Sequence, residues 1–301
     1  MKDHQLKALV QVAEQGSIRG AARALHLSQS ALTKALRELE ADLGAELLVR
    51  SFKGVEFTPA GQALLSRARL ALATLDKARD EIRWLRGGAG TQVTAGVTPA
   101  IAATVLPGVL KAFQQEQPEA SLTLVEGMLT NVLPGLMEGR IDFAIAAAEP
   151  EGLPYEIAFE PLARLRVEPA ARVGHPLLGA TSWSQLADAR WVLNLATGSM
   201  AHQLVSWLDR QRIQLSHPVV KCDSPALMTE MMRRTDLIGF GPRILFQDPL
   251  FGQGLACFES LPPVPLNTLG LLRLKGVPLN SGAQRLVTLF HRYIAALPPQ
   301  G

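Results

Sequence analysis

The first 44 residues contain three stretches with the apolar spacing of an amphipathic helix, and only three residues separate the last two. In each stretch apolar residues recur at i, i+3, i+4 and i+7, which places them on one helix face. The three stripes are Leu6, Leu9, Val10 and Ala13; Ile18, Ala21, Ala22 and Leu25; and Leu32, Ala35, Leu36, Leu39 and Leu43. Ser17 and Ser28 are the expected N-caps, and Gly16 and Gly44 are expected to end the first and third helices. The chain therefore begins with a small three-helix unit.

The outward face of the third helix carries polar and basic side chains. Hydroxyl, amide and cationic groups occupy the end of the helix that enters the major groove in helix-turn-helix proteins. The residues expected to contact DNA on this helix are Ser28, Gln29, Ser30, Thr33, Lys34 and Arg37. A solvated charged face is the alternative, and the helix pattern by itself does not decide between the two.

The residues after the third helix change to a strand pattern. Leu47-Leu48-Val49-Arg50 and Val55-Glu56-Phe57 flank Lys53-Gly54, which predicts two short strands joined by a basic turn. Arg50 and Lys53 are expected to contact backbone phosphates beside the third helix. Residues 1–58 are therefore predicted to form a winged helix-turn-helix domain.

The distribution of charge agrees with a polyanionic partner. Residues 1–90 contain 14 Lys and Arg against 10 Asp and Glu, a net charge of +4, whereas the remainder contains 16 against 17, a net of −1. Neutralised phosphates with counterion release supply most non-specific DNA affinity. The basic excess therefore favours duplex DNA as the partner of the N-terminal part.

A heptad pattern follows from Thr58-Pro59, which are an expected N-cap and first helical residue. Apolar residues recur in alternating steps of four and three, the spacing of a coiled-coil seam. The seam residues are Leu64, Ala68, Ala71, Leu75, Ala78, Ile82 and Leu85. We expect residues 59–90 to form a dimerisation helix and a hinge, because a dimer can present two DNA-reading helices to a pseudo-palindromic site. Packing against its own domain is the alternative.

Dispersed residues of the first 61 resemble the LysR-type transcriptional regulators. The matching residues are Gly16-Ser17, Ala21-Ala22, Leu25, Leu27-Ser28-Gln29, Leu39-Glu40, Leu43-Gly44, Leu47, Arg50 and Thr58-Pro59-Ala60-Gly61. Ser30, Thr33 and Leu48 depart from the usual Pro, Ser and Phe, and the Ser30 change lies at the DNA-reading end of the helix. The resemblance implies a transcription regulator that binds a double-stranded operator and a small-molecule effector and forms a dimer and a tetramer. RNA polymerase is a further candidate partner.

Residues 91–301 alternate strand and helix patterns, which predicts α/β units and, with the N-terminal domain, an α+β chain. Strands are expected over 92–97, 121–126, 141–146, 162–171, 191–195, 219–222, 237–240 and 269–274. Helices are expected over 99–115, 131–138, 200–212, 225–234 and 281–297. The resemblance implies a two-lobe effector-binding domain similar to periplasmic solute-binding proteins. Lobe 1 would cover about 91–161 and 266–301, and lobe 2 about 162–265.

Three helix starts follow strands in the two predicted lobes. Ligands of open α/β sheets bind beyond the carboxyl ends of the strands, where helix N-termini present N–H groups. Each start could be a cap alone, but together they predict a cleft for a small anion such as a carboxylate or sulfonate, and the family resemblance also implies effector contacts here. The expected contacts are Thr98, Pro99, Ala100, Thr197, Gly198, Ser199 and Ser224.

Several classes of protein are disfavoured by what the sequence lacks. Cys222 and Cys257 cannot build a disulfide framework or a zinc cluster, so we expect neither a metal nor another cofactor. No nucleotide-binding loop or nucleophile-base pattern appears, so an enzyme is not expected, and Asp142 is expected to pair locally. The start of the chain lacks a secretory pattern, which predicts a cytoplasmic protein without a membrane partner. A solute-binding protein of a transport system remains an alternative that matches only the C-terminal half.

Overall fold

The computed structural model describes residues 1–51, 54–86, 90–196 and 199–297, without the side chains of residues 50, 51, 84, 85 and 130. The chain forms an N-terminal and a C-terminal unit, with the division between them near residue 88. The helices of the N-terminal unit are α1 Asp3–Gln15, α2 Ile18–Ala24, α3 Gln29–Leu43 and α4 Pro59–Leu85. Its strands are β1 Leu48–Ser51 and β2 Gly54–Phe57, an antiparallel pair.

The first three helices begin and end where the sequence predicts. Ser17 Oγ accepts a hydrogen bond from the Gly20 N–H group (3.1 Å), and Ser28 Oγ accepts one from Ala31 N–H (3.1 Å). Gly16 and Gly44 both have φ of +64°, a left-handed conformation that glycine adopts without a Cβ penalty. The caps thus fix the boundaries of the short helix-turn-helix.

A shared apolar core holds these helices together. It contains the fully buried Leu9, Val12, Leu32 and Leu39, with Leu47 at the start of the strand segment. Leu43 is an exception to the predicted stripe, because at the end of α3 it is 44% exposed. Burying each large apolar side chain stabilises the fold by roughly 1.5–3 kcal/mol.

Two contacts attach the β1–β2 hairpin and α4 to this core. Glu40 Oε1 on α3 accepts hydrogen bonds from the N–H groups of Leu47 (2.9 Å) and Leu48 (3.3 Å). Thr58 Oγ1 caps α4 by accepting from Gly61 N–H (3.0 Å). An added Cβ on Gly61 would lie 2.0 Å from the Leu47 carbonyl oxygen, so only glycine permits this approach.

The C-terminal unit contains two five-stranded sheets. The order of the first sheet, lobe 1, is β4-β3-β5-β12-β6, and that of the second, lobe 2, is β11-β7-β10-β8-β9. The strands are β3 Gln92–Val97, β4 Ser121–Glu126, β5 Phe143–Ala147, β6 Ile157–Leu165, β7 Val167–Arg172, β8 Arg190–Leu193, β9 Val220–Lys221, β10 Leu237–Pro242, β11 Leu255–Cys257 and β12 Asn267–Leu274. The helices are α5 Pro99–Thr104, α6 Leu106–Glu116, α7 Leu129–Met137, α8 Met200–Arg210, α9 Pro225–Arg234, α10 Arg243–Phe246 and α11 Ser281–Ala295.

Each lobe has its own core, and the chain crosses between the lobes twice. Phe113, Phe143 and Phe290 are buried in lobe 1, while Trp191 and Phe258 are buried in lobe 2. The chain leaves lobe 1 after β6 and returns through β12, which pairs antiparallel with both β5 and β6. The α+β architecture with a two-lobe α/β domain is thus confirmed.

The predicted helix over 99–115 is wrong, because the segment forms two helices that meet at Val105. A proline ring clashes with the carbonyl four residues earlier and has no N–H to donate. Pro107 therefore cannot continue α5 and instead occupies the first turn of α6.

The predicted strand over 162–171 is also wrong, because it spans two strands in different sheets. β6 pairs with β12 as far as Leu165, and β7 pairs with β10 from Val167 onward. The lobe boundary predicted at residue 161 therefore falls inside β6, and the crossing lies at Arg166. The short elements α10 and β11 were not predicted.

Residues 87–110 contain no charged side chain, and their described part forms β3, α5 and the first part of α6. Among the described helices, none combines the length and the apolar character needed to cross a membrane.

Candidate DNA-binding surface and effector cleft

The predicted DNA-contacting residues lie together along the outer face of α3. Gln29, Ser30, Thr33, Lys34 and Arg37 line one open surface, which also includes Glu38 and Ala41. The side chain of Lys34 is 79% exposed. The opposite face of the helix is buried in the core, so this polar face points away from it.

The hydrogen-bond partners separate these side chains into two groups. Thr33 Oγ1 donates to the Gln29 carbonyl (2.8 Å), and Ser30 Oγ lies 3.0 Å from Ser28 Oγ, the cap of α3. Lys34 Nζ is 3.9 Å from Glu38 Oε1. Within the described part of the chain, Gln29 and Arg37 have no side-chain partner. Gln29 and Arg37 are therefore the most available hydrogen-bonding groups on this face.

The wing has the predicted hairpin geometry. β1 and β2 pair antiparallel, with Arg50 opposite Val55. Lys53 lies outside the described residues, as does the side chain of Arg50. Their proposed phosphate contacts remain predictions.

The predicted coiled-coil seam on α4 divides into two parts. Leu64 packs against the N-terminal core, and Ala68 is 1% exposed beside Leu6 and Val10 of α1. These first two positions therefore pack within their own subunit, as the alternative interpretation required. Farther along α4 the seam is exposed at Ala71, Leu75, Ala78 and Ile82, and the side chain of Leu85 lies outside the description.

The carboxyl ends of strands in both lobes meet at one cavity. The residues at the start of α5 line it from lobe 1, and those at the starts of α8 and α9 line it from lobe 2. Of the predicted effector contacts, Thr98, Pro99, Ala100 and Ser199 line the cavity, and Thr197 and Gly198 lie outside the described residues.

Ser224 departs from the prediction. Its Oγ accepts a hydrogen bond from Leu227 N–H (3.4 Å) as the cap of α9, and the neighbouring Pro225 lines the cavity in its place. Ser199 Oγ also caps its helix, accepting from His202 N–H (3.1 Å), and it donates to the Asn194 carbonyl (2.6 Å). The Ser224 hydroxyl therefore caps α9, which was the alternative to an effector contact.

Most of the cavity lining was not predicted from the sequence, and it is apolar. Four of the seven methionines of the chain contribute, together with aromatic and aliphatic residues. The large apolar side chains of the lining are Met128, Met200, Met228, Met232, Phe240, Leu245, Phe246 and Phe251. Among the described residues that line the cavity, none is Asp, Glu, Lys, Arg or His. The apolar character has a weak sequence signal, since Met228 and Met232 are also core positions of α9.

Two polar lining residues, Thr229 and Asn194, were not predicted from the sequence. Thr229 Oγ1 donates to the Pro225 carbonyl (2.7 Å), whereas Asn194 has an unused donor. Asn194 follows β8 and is 4% exposed. Its Oδ1 accepts a hydrogen bond from Ala196 N–H (2.9 Å). Its Nδ2 is buried with no acceptor within reach in the described part of the chain. A single asparagine at a strand end has no sequence pattern that could have identified it.

An ion-pair cluster surrounds the buried carboxylate of Glu168. Glu168 on β7 is 5% exposed and pairs with Arg166 and with Arg243 (3.1 Å), and Arg243 also reaches Glu259 (3.2 Å). Burial, followed by the negative charge of Glu168, raises the pKa of the nearby Cys257 thiol to about 12. Arg243 begins α10, whose Leu245 and Phe246 line the cavity.

Two other features of the sequence concern Asp142 and a possible metal site. Asp142, just before β5, accepts a hydrogen bond through Oδ2 from Thr94 N–H of β3 (2.7 Å), a contact with a residue distant in sequence and not the local cap or pair that was expected. The described residues contain no cluster of three or more His, Cys, Asp or Glu with the geometry to hold a metal ion.

Comparisons with known proteins agree across both units. Residues 4–62 match the bacterial regulatory helix-turn-helix protein model of the lysR family, and residues 86–295 match the LysR substrate binding domain. The HTH-type transcriptional regulator TdcA of Escherichia coli (strain K12) is 30% identical over 237 residues, which cover 79% of this chain and 76% of TdcA.

Two solved structures share the fold along nearly the whole chain. ArgP from Mycobacterium tuberculosis has a TM-score of 0.72 at 22% identity and covers 99% of this chain and 98% of its own. Full-length CbnR complexed with its target DNA has a TM-score of 0.67 at 22% identity, with coverage of 97% and 100%. At this identity the two likenesses show the fold alone.

The chain belongs to the LysR family of DNA-binding transcription regulators, in which a helix-turn-helix domain is joined to an effector-binding domain. The predicted family resemblance is confirmed. The alternative of a solute-binding protein for transport is wrong for the whole chain, because the relatives that match both units are regulators.

Proposed function

We propose that this regulator recognises a specific operator through the outer face of α3 and that a small anion bound in the C-terminal cleft controls DNA binding. The observation that carries the proposal is the exposed polar and basic face of α3, on which Arg37 and Gln29 lack partners in the described part of the chain. Arginine can form paired hydrogen bonds with guanine, and glutamine with adenine, at base edges in the major groove.

Different residues are proposed to supply specificity and affinity. Gln29, Ser30, Thr33, Lys34 and Arg37 contact base edges, with Ser28 at the helix start beside the phosphates. Arg50 and Lys53 on the wing contact phosphates and fix the position of α3 without contacting the bases. Operator binding would then combine a sequence-dependent contribution from α3 with a salt-dependent one from the wing.

The exposed part of the α4 seam supports a homodimer. Ala71, Leu75, Ala78 and Ile82 recur at heptad spacing on one exposed stripe, where a second copy of α4 would bury them. A dimer presents two copies of α3 to the half-sites of a pseudo-palindrome. The same proposal includes the pairing of two dimers into a tetramer and contact with RNA polymerase. It also includes a cytoplasmic location beside the operator DNA and the absence of catalysis.

The three helix starts at the cavity support an anionic effector, either a carboxylate or a sulfonate. The N–H groups in the first turn of a helix lack intrahelical partners and carry partial positive charge. The starts of α5, α8 and α9 bring such groups to the cavity together with Thr98 and Ser199. Thr197 and Gly198 would extend the same surface.

Selection of bound duplexes from a random DNA library tests the proposal. The full-length protein should enrich a bipartite inverted repeat whose half-sites are separated by one helical turn, about 10 base pairs, or a multiple of it. The double variant Lys34→Ala, Arg37→Ala should fail to enrich that sequence. Absence of any enriched sequence with the parent protein would contradict specific recognition.

A further inference from the structure

The buried amide of Asn194 is the strongest indication of what the cleft binds. The residue is 4% exposed, and its Nδ2 has no hydrogen-bond acceptor in the described part of the chain. A buried donor without an acceptor is unfavourable, and each such group in a folded protein calls for an explanation. Because Asn194 lines the cavity, a ligand in the cavity can supply the acceptor.

The orientation of this amide is fixed by its own backbone. Asn194 Oδ1 accepts from Ala196 N–H at 2.9 Å, so exchanging the oxygen and nitrogen would place two donors against each other. The Asn194 carbonyl also accepts from Ser199 Oγ at 2.6 Å, which ties the residue to the start of α8. The donor is therefore held in place before any ligand arrives.

Thr98 presents a second hydrogen-bonding group from the other lobe. It is 7% exposed, it follows β3 of lobe 1, and its side chain lines the same cavity. Its backbone N–H donates to the Ile145 carbonyl (3.2 Å), while the hydroxyl has no hydrogen bond to the described residues. Unlike Ser199 and Ser224, Thr98 does not cap its helix with its side chain.

The remainder of the cavity restricts the rest of the ligand. Its wall includes four Met and three Phe side chains, and no described lining residue is charged. An ammonium group would find no carboxylate there. One carboxylate can use the two donors, Asn194 Nδ2 and the Thr98 hydroxyl, but a second would find neither these donors nor a cation among the described lining residues, so its burial would be strongly unfavourable. Thioether sulfurs make favourable contacts with the edges of aromatic rings.

We propose that Asn194 Nδ2 and Thr98 Oγ1 hold the single carboxylate of a ligand whose other part is apolar and uncharged. The effector would then be a monocarboxylate, and dicarboxylates and amino acids would be excluded. This inference rests on the proposed function of the cleft as the effector site. The carboxylate bridges the end of β3 in lobe 1 and the end of β8 in lobe 2, so its binding favours one arrangement of the lobes.

Three probes that differ at one carbon test the ligand class by calorimetry on the full-length protein. Phenylacetate is the monocarboxylate, phenylglycine adds an ammonium group on the α carbon, and phenylmalonate adds a second carboxylate there. We expect phenylacetate to bind and each of the other two to bind at least tenfold more weakly. Equal binding of phenylglycine or phenylmalonate, or no binding of phenylacetate at millimolar concentration, would overturn the proposal.

Variants at the two contacts test the residues. Asn194→Asp keeps the acceptor for Ala196 but replaces the donor with a like charge, so phenylacetate affinity should fall at least tenfold. Thr98→Val keeps the side-chain shape and should weaken binding several-fold. The control Asn131→Asp makes the same charge change at an exposed position and should stay within twofold of the parent.

A thermal unfolding transition of each variant shows whether it folds. If the Asn194→Asp protein does not fold, the phenylacetate affinity of the Thr98→Val protein decides the test. Parental phenylacetate affinity in the folded Asn194→Asp or Thr98→Val protein would overturn the assignment of that residue. The same parent sample is also tested for binding to duplex DNA. If it binds DNA but none of the three probes, the proposed ligand class is wrong and the proposed DNA-binding function stands.

Discussion

Arg37 shows how a single residue distinguishes a base-reading surface from ordinary surface charge. Surface cations are usually solvated or paired at a gain of about 0–1 kcal/mol, as Lys7 is with Asp3 at 2.8 Å. Arg37 is exposed on the same face as Gln29 and is unpaired among the described residues. Its guanidinium is therefore available without first breaking an internal ion pair.

Replacing Arg37 with Ala should reduce affinity for the selected duplex by about 1–3 kcal/mol, because a paired hydrogen bond to one base is lost. The loss should be concentrated at one base position, and fluorescence anisotropy with single-base duplex variants measures it. Lys7→Ala removes an equal charge from α1 and serves as the control. An Arg37→Ala protein with parental base preferences would show that this side chain does not contact a base.

The Cys257 thiol should remain unreactive in the folded protein. Partial burial and the charge of Glu168 disfavour the thiolate and raise the pKa of Cys257 to about 12, so the reactive form is scarce at pH 8. Iodoacetamide should therefore modify Cys257 far more slowly in the folded than in the urea-unfolded chain, as peptide mass spectrometry can measure. Equal rates in the two states would contradict the buried environment.

Single residues also mark the limit of what the sequence could predict about the site. Thr98 and Ser199 were identified because a hydroxyl before a helix is a recognisable cap, and both line the cavity. Asn194 was missed because its importance arises from burial beside a second lobe, which depends on contacts distant in sequence. Ser224, like Thr98, precedes a proline at a helix start. Only the structure shows that the Ser224 hydroxyl caps its helix and that the Thr98 hydroxyl does not.

At the scale of elements, local signals predicted some boundaries and missed others. The bounds of β3, β4 and α9 were predicted to the residue, and a hydroxyl residue followed by Pro marks the end of β3 and the start of α9. The break between α5 and α6 follows from Pro107 and was open to prediction. The division into β6 and β7 was not, because alternation along residues 162–171 does not reveal a change of sheet.

The α4 helix carries a prediction about assembly. Replacing Leu75 with Asp should place a charge in the apolar seam and convert the dimer to a monomer, because an unpaired buried charge is strongly unfavourable. Leu75 is 47% exposed in the single subunit, so folding of the N-terminal unit should be retained. Light scattering measures the mass.

Thr74→Asp is the control for this change, since it adds the same charge to an exposed neighbouring position on α4. It should leave the mass unchanged. If Leu75→Asp keeps both the parental mass and the parental operator affinity, the exposed stripe on α4 is not the dimer interface.

For the whole molecule, the two units have distinct chemistry. The N-terminal unit presents an exposed polar and basic face on α3, whereas the C-terminal unit encloses a largely apolar cavity with hydrogen-bonding side chains from both lobes. The two-lobe plan was predictable from the alternation of strands and helices, but the two crossings were placed correctly only once the pairing of β12 with β6 was known. A ligand can affect DNA binding only if it binds one conformation of the protein more tightly than another.

The ratio of affinities for the selected duplex and for a scrambled duplex of equal length measures how far the outer face of α3 recognises DNA sequence. Measured by anisotropy over a range of salt concentrations, both affinities should fall with salt, because phosphate contacts contribute to each. At about 150 mM salt the selected duplex should bind at least about a thousandfold more tightly. Equal affinity for the two duplexes would contradict the account, since the face of α3 would then supply charge without recognising sequence.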